Sequence, residues 1–572
     1  MNHPLTEPSA PEPSAAEGAP ATEPVLEIED LHVWFRSGGL GRGRGENHVL
    51  QGIDLSIRPG ERVGLVGESG CGKTTTILAA MGLLPSSASV AGQVRVGGRD
   101  LLAGGERAFL PHRWTDLAMV FQGAMNAFNP VRTVGSQIAE VLRLHRSMSR
   151  HQATARVAEL LGLVGIDPAR ATSYPHELSG GMRQRAVIAM ALACQPKALL
   201  ADEPTTALDV VVQDQILSLL TSLCDRLGLA LILVTHDLGV VAQTCDRAAV
   251  MLEGRIVEHG SVQELYRAPQ HPYTRQLFEA TPSLADAQHV PEPPPAPRPP
   301  LLELRHLEVS YQRRRRWLGR GDAPTPAVDD ISLEVQRGEL VALVGQSGCG
   351  KTTAVQSILG MVPPRAGQIL VDGVETSTLH GRGLRDLRRR VQMVYQDPYE
   401  SLDGRFRVYQ TLEEPLRIHG IGSRRERRTI VNEALERVGL TPPAQYRLRF
   451  PHELSGGQRQ RVSIAACLVV QPELLLADEP VSMLDVSLRL GVLNLLNGLR
   501  SDGSLGILMI THDLSTAAAY ADRIIVMREG RLIEEGPAWQ VVNRPAEDYT
   551  RTLLAAVPSP DPSRHGGPDV VG

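Results

Sequence analysis

The chain is poor in cysteine: Cys71, Cys194, Cys224, Cys245, Cys349 and Cys467 are all it has in 572 residues. None belongs to a C-x-x-C pair or a zinc-type spacing, so neither a disulfide framework nor a cysteine-bound metal is expected. Apolar runs are short as well, and none approaches the ~18 residues that a bilayer-spanning helix requires. Residues 1–24 are rich in Pro, Ala and Glu and lack a basic start and an apolar centre. That is unlike a secretory signal and suits a disordered tail. Positive charge is not in excess either: the net charge is −5, which argues against a general nucleic-acid-binding surface. These absences leave an ordinary globular composition, 42% hydrophobic and 22% charged, and an expected place in the cytosol or on the cytosolic face of a membrane.

What is present, and twice, is a phosphate-cradling loop. Gly67-Glu-Ser-Gly-Cys-Gly-Lys73-Thr74 and Gly345-Gln-Ser-Gly-Cys-Gly-Lys351-Thr352 both fit G-x-x-x-x-G-K-[ST]. Each follows an apolar strand-like run and precedes a helix-like segment, the context that turns the pattern into a nucleotide site. The glycines (Gly67, Gly70, Gly72; Gly345, Gly348, Gly350) let the backbone wrap a phosphate. Ser69, Thr75, Ser347 and Thr353 complete the two cradles, and the helix N-terminus offers free N–H groups and a positive dipole end. Lys73 and Lys351 would reach the β- and γ-phosphates, and Thr74 and Thr352 would hold Mg²⁺.

The duplication continues downstream nearly in register: Gln122 with Gln396, Ser179 with Ser455, Asp202-Glu203 with Asp478-Glu479, His236 with His512. A repeat this long is a whole domain rather than a solenoid unit. The expected organisation is a tail at 1–24, domains at 25–283 and 301–558, a linker at 284–300 and a disordered tail at 559–572. The linker is Pro-rich, and extended polyproline at about 3.1 Å per residue would let it reach on the order of 50 Å. Basic loops at 36–44 and 313–317 read most simply as solvated; a surface meeting lipid phosphates or a partner is the other reading.

Within each domain, 25–35 and 301–311 alternate like strands, while 153–163 and 430–440 carry apolar residues at helical spacing. Ala198–Asp202 and Leu474–Asp478 are buried-strand runs, with further ones at 229–234 and 506–510. Strands alternating with helices imply a mostly parallel α/β core with an inserted helical lobe. Each Asp-Glu pair ends its apolar strand. There one carboxylate can organise Mg²⁺ (Asp202, Asp478) and its neighbour can polarise the water attacking the γ-phosphate (Glu203, Glu479).

Leu178-Ser179-Gly180-Gly181-Met182 and Leu454-Ser455-Gly456-Gly457-Gln458 resemble the signature motif of ABC-type ATPases. The resemblance covers nearly the whole chain and implies tandem P-loop NTPase domains. Each would have a RecA-like mixed sheet, an N-terminal antiparallel β lobe and an inserted helical lobe. It implies that each signature contacts the γ-phosphate held by the opposite domain. It also assigns Phe35 and Tyr311 to adenine stacking, Gln122 and Gln396 to Mg²⁺ or the attacking water, and Asp209 and Asp485 to the loop crossing the dimer interface. His236 and His512 become the histidines at the γ-phosphate. Met182 and the Ser482-Met483-Leu484-Asp485 run depart mildly from the family pattern and remove no phosphate ligand, so both sites are expected to hydrolyse ATP.

Pro175-His-Glu-Leu-Ser-Gly-Gly, Pro451-His-Glu-Leu-Ser-Gly-Gly and His271-Pro-Tyr-Thr274 narrow the resemblance to the ATPase subunits of oligopeptide/dipeptide importers; the second copy has Glu547-Asp-Tyr-Thr550. That subfamily implies two transmembrane permease subunits, an extracytoplasmic solute-binding protein and a peripheral place on the bacterial membrane. It implies no nucleic acid. The competing class, a soluble tandem-ABC ATPase acting on ribosomes or nucleic acid, characteristically carries a long charged helical linker. This linker is Pro-rich and has a single basic residue, Arg298.

Overall fold

The structure, a computed structural model, describes residues 23–36, 46–123, 127–206, 208–288, 299–311, 326–397, 401–500 and 503–565. The tail up to residue 22, nearly all of both basic loops and the Pro-rich stretch 289–298 lie outside these. Two halves share one topology. In the first, β1 (Leu26–Arg36), β2 (Glu46–Ile57), β4 (Ala88–Val96) and β5 (Arg99–Asp100) form an antiparallel sheet in the order β2-β1-β4-β5. β3 (Arg62–Val66), β6 (Leu117–Val120), β7 (Ala198–Asp202), β8 (Ala230–Thr235), β9 (Arg247–Leu252) and β10 (Arg255–Ser261) form a second, in the order β10-β9-β3-β8-β7-β6. This sheet is parallel except for β10.

The second half repeats both. β11 (Leu302–Val309), β12 (Val328–Val335), β14 (Ala366–Val371) and β15 (Val374–Glu375) pair as β12-β11-β14-β15. β13 (Leu340–Val344), β16 (Val391–Val394), β17 (Leu474–Asp478), β18 (Gly506–Thr511), β19 (Arg523–Arg528) and β20 (Arg531–Pro537) pair as β16-β17-β18-β13-β19-β20.

Burial follows from these layers. In β1, Leu26, Ile28, Leu31 and Val33 face inward, and the alternation slips across Asp30, whose φ is 45°. β7 and β17 are buried at every residue because helices cover both faces of the central sheet. One face packs on the β lobe and the helix Lys73–Ala80. The other packs on helices Val134–Arg146, Arg150–Leu163 and Gly180–Ala191, the inserted lobe. Each fully buried Val or Leu contributes roughly 1.5–3 kcal/mol of transfer free energy to this arrangement.

Two expectations need correction. The helical spacing at 430–440 ends sooner, with the helix Arg424–Arg437, because Gly439 turns left-handed at φ 74°. The stretch expected to be an extended linker and the tail expected to be disordered also contain order. Leu284–Gln288 and Pro562–His565 are short 3₁₀ turns, and they dock crosswise. The first lies on helices Leu514–Tyr520 and Ala538–Asn543 of the second half, and the second on Leu238–Thr244 and Val262–Arg267 of the first. The interface is built reciprocally elsewhere too. Val210 packs into the second half's core. Helix Pro272–Glu279 contacts Val486–Leu499, and Asp548–Ala555 contacts Val210–Leu227.

Among the described residues no helix is long and apolar enough to cross a membrane. All six cysteines are buried free thiols. Burial pushes Cys224 and Cys467 up to about 12, which withholds the reactive thiolate. Native protein should therefore consume a thiol-reactive disulfide reagent only as fast as it unfolds, and denatured protein should titrate six thiols. A rapid native phase would contradict this packing.

Candidate functional site

The phosphate loops leave β3 and β13, each flanked on both sides by parallel strands. Gly67 and Gly345 sit at φ 151° and 156°, where a Cβ would fall 2.3 and 2.2 Å from the carbonyl oxygens of Met251 and Met527. Only glycine fits there. Lys73, buried, donates from Nζ to the carbonyl oxygens of Gly67 (2.7 Å) and Glu68 (2.8 Å). Lys351 does the same to Gly345 (2.6 Å) and Gln346 (2.9 Å). Each ammonium thus lies folded within its own loop, at the mouth of the helix that follows.

Around each lysine the predicted residues converge. Thr74 donates to Oδ1 of Asp202 at 3.1 Å, and Thr352 to Oδ1 of Asp478 at 3.4 Å. Glu203 and Glu479 follow β7 and β17 in left-handed backbone, φ 43° and 45°, which turns their carboxylates away from the strand ends. Glu203 accepts from Nε2 of Gln122 at 2.7 Å and from Thr206 Oγ1 at 2.9 Å, and lies 2.9 Å from Nδ1 of His236. Glu479 accepts from Gln396 at 2.8 Å and lies 3.0 Å from Nδ1 of His512. The two histidines follow β8 and β18, next to Asp237 and Asp513, whose side chains cap the succeeding helices.

Adjacent carboxylates are thereby driven apart. Burial pushes Asp202 up to about 6, opposed by the Thr74 hydroxyl and helped by the Glu203 charge. Burial works against Glu203 too, but His236, Thr206 and Lys73 outweigh it and bring it down to about 2. Asp478 is raised and Glu479 lowered in the same way. His512 is raised: burial opposes its charge, and the Glu479 carboxylate more than compensates. Glu203 and Glu479 are therefore ionised acceptors at neutral pH.

Other predicted residues lie differently. Ser179 and Ser455 cap the helices Gly180–Ala191 and Gly456–Leu468, accepting from the N–H groups of Met182 and Gln458 at 3.3 Å each. Gln458 returns a bond to Ser455 N–H at 3.2 Å. Met182 has no acceptor with which to do so, and this is what the departure from the family pattern changes. A cavity of about 680 Å³ between the halves is lined by Gln122, Glu203, His236, Lys351, Thr352, Gln396, Glu479 and His512, among others, but by neither signature serine. Tyr311 lines it and lies 3.2 Å from Thr353 Oγ1 through its hydroxyl. Phe35, partly buried, packs against the β-lobe core.

Sequence reasoning missed two further contacts. The Tyr273 hydroxyl accepts from the N–H of Glu68 at 3.1 Å, and Tyr549 from that of Gln346 at 3.3 Å. The C-terminal extension of each half thus touches its own phosphate loop. The signal was available: Tyr-Thr persists in both copies, whereas His-Pro becomes Glu-Asp.

A loop leaving the centre of a parallel sheet, its lysine and threonine facing a strand-end Asp-Glu pair, defines a P-loop nucleoside triphosphatase. The family model described as ABC transporter matches residues 50–206 and 328–482. The one described as oligopeptide/dipeptide transporter, C-terminal region, matches 257–305 and 533–570. The chain belongs to the ABC transporter ATP-binding family and is an ATPase. It is 41% identical, over 94% of its length and 90% of the relative's, to the glutathione import ATP-binding protein of Pectobacterium atrosepticum. To the protein of the same description from Escherichia coli K12 it is 40% identical over 94% and 90%. To that from Salmonella typhimurium it is 41% identical over 95% and 90%.

Proposed function

We propose that this chain is the energising subunit of an importer for peptides or related small solutes, glutathione among the candidates, with its two halves working as one intramolecular nucleotide clamp. The observation that carries the reading is the constellation of Lys, Thr, Asp, Glu, Gln and His built twice, together with the C-terminal extension that touches each phosphate loop. The description of the relatives supports the solute class. Partners of this reading are two permease subunits and an extracytoplasmic binding protein, which would hold the chain peripherally at the cytosolic face of the membrane.

In the mechanism, Lys73 and Lys351 turn from their loop carbonyls to the β- and γ-phosphates of ATP, and loop N–H groups cradle the same oxygens. Thr74, Asp202 and Gln122, and Thr352, Asp478 and Gln396, form oxygen donor sets suited to a hard cation, and these residues would hold Mg²⁺. When bound, the cation neutralises charge on the phosphoryl oxygens. Glu203 and Glu479, ionised, orient the attacking water and accept its proton, while His236 and His512 hold those carboxylates and face the γ-phosphate. Closure brings Ser455 onto the nucleotide at Lys73 and Ser179 onto that at Lys351. Covalent linkage of the halves makes closure intramolecular, with an effective concentration on the order of mM for a short linker.

Lys73→Ala and Lys351→Ala should each lower steady-state ATPase activity by about 10²-fold or more if the two sites fire together, and by about half if they fire independently. Phosphate release from each purified variant checks this. A variant with wild-type activity would remove its site from the mechanism.

A further inference from the structure

The two sites are alike in their own residues and unlike in what the opposite half sends into them. Asp209 and Asp485 stand at the starts of helices Val210–Leu227 and Val486–Leu499. The Asp209 carboxylate caps its own helix, accepting from Val212 N–H at 3.1 Å. Asp485 makes no such cap; its Oδ1 crosses the interface and accepts from Ser69 N–H, in the Lys73 loop, at 2.7 Å. One turn further along, the halves differ chemically: Gln213 in the first, Arg489 in the second.

Arg489 is pinned. Its Nε donates to the carbonyl oxygen of Leu484 at 2.7 Å, and a terminal nitrogen lies 2.9 Å from Nε2 of His236, in the other half. A guanidinium has donors only, so Nε2 must be the acceptor nitrogen of that ring. The ring proton then sits on Nδ1, where it is donated to Oε1 of Glu203 at 2.9 Å. Gln213 lines the same cavity as His512, but a neutral amide can donate or accept and does not hold Nε2 as an acceptor.

We infer that Arg489 is a positioning residue for the Lys73 site, acting across the interface through His236. It holds Nε2 as an acceptor and the ring in the orientation in which Nδ1–H grips Glu203, and so makes assembly of this site, and not of the Lys351 site, depend on a cation from the opposite half. The two ATP sites are unequal by construction. This rests on the proposed roles of His236 and Glu203 in hydrolysis. It extends them by a residue that touches neither the phosphate loop nor the carboxylate directly.

The test uses the full chain with Arg489→Gln and Arg489→Lys, each checked for a wild-type melting temperature. Arg489→Gln should lower kcat on the order of tenfold if the two sites fire together, and towards half if they fire independently, with KM for ATP nearly unchanged, because the geometry of the hydrolytic group is lost rather than ground-state binding. Arg489→Lys should restore part of the loss, since an ammonium is also a pure donor. In protein labelled with ¹⁵N-histidine, with the His236 signal assigned through His236→Gln, the ring shifts should report a neutral imidazole protonated on Nδ1. Arg489→Gln should shift the Nε2 resonance, because its cationic donor is gone. An unchanged kcat, a rise in KM alone, or a His236 Nε2 resonance indifferent to Arg489 would each overturn the inference. A wild-type chain that does not hydrolyse ATP would instead sink the functional reading on which it rests.

Discussion

Glu203→Gln together with Glu479→Gln is expected to abolish ATP turnover while leaving ATP bound. The substitution keeps size and shape, replaces one acceptor oxygen by an amide NH2, and removes charge and basicity. Charge is the property the site cultivates. Glu203 is held down to about 2 even though burial opposes its charge, and Glu479 is lowered likewise. The fold therefore spends two histidines, two lysines and, at Glu203, the Thr206 hydroxyl on keeping these carboxylates ionised beside a strand end where their neighbours Asp202 and Asp478 are pushed up. Loss of a positioned base costs on the order of 10²–10⁴-fold in rate, and losing both should leave no measurable steady state. Binding should survive because Lys73, Lys351 and the loop N–H groups are untouched. Phosphate release measures the first part, and nucleotide retained through gel filtration measures the second. Continued turnover would show that another group accepts the proton.

Much of this constellation could be read from the chain because it is local or strand-anchored. Each lysine and its threonine are neighbours in one loop, and each Asp-Glu pair ends a run, Ala198–Asp202 or Leu474–Asp478, whose uniform apolarity marks a strand buried on both faces. The histidines follow strands of the same kind. What stayed hidden depends on how the halves meet. Arg489 looks like a solvated arginine on a helix, and only docking brings it to His236. Tyr273 reads as part of a short motif, and only the return of the extension onto the loop brings its hydroxyl to Glu68. The docked turns at Leu284–Gln288 and Pro562–His565 were concealed for a related reason: their composition suits a linker, and their order comes from the surface they lie on.

The crossed assignment of the signatures makes the second large prediction, and it can be tested by pairing lesions. In the Glu203→Gln/Glu479→Gln background, about two ATP per chain should be retained, since each loop and the opposing Ser-Gly-Gly helix start together enclose one nucleotide. Ser455→Glu places a carboxylate against the γ-phosphate at that helix start, where repulsion replaces a hydroxyl donor and the favourable dipole end. Combined with Lys73→Ala, it strikes the same composite site twice, and about one nucleotide should remain. Ser179→Glu combined with Lys73→Ala strikes both sites, and retention should fall to about none. The two combinations carry the same chemical changes and differ only in which half receives the glutamate, so general destabilisation lowers both alike. Neither Ser179 nor Ser455 lines the cavity between the halves as they stand here, so the pairing is a statement about the closed clamp. Asp485 already spans the interface to Ser69 in the Lys73 loop, and the same half carries Ser455 at the head of the helix Gly456–Leu468. In the proposed clamp, closure along that contact would deliver Ser455, not Ser179, to Lys73. The reverse stoichiometry, none with Ser455→Glu and one with Ser179→Glu, would mean that each half closes on its own nucleotide.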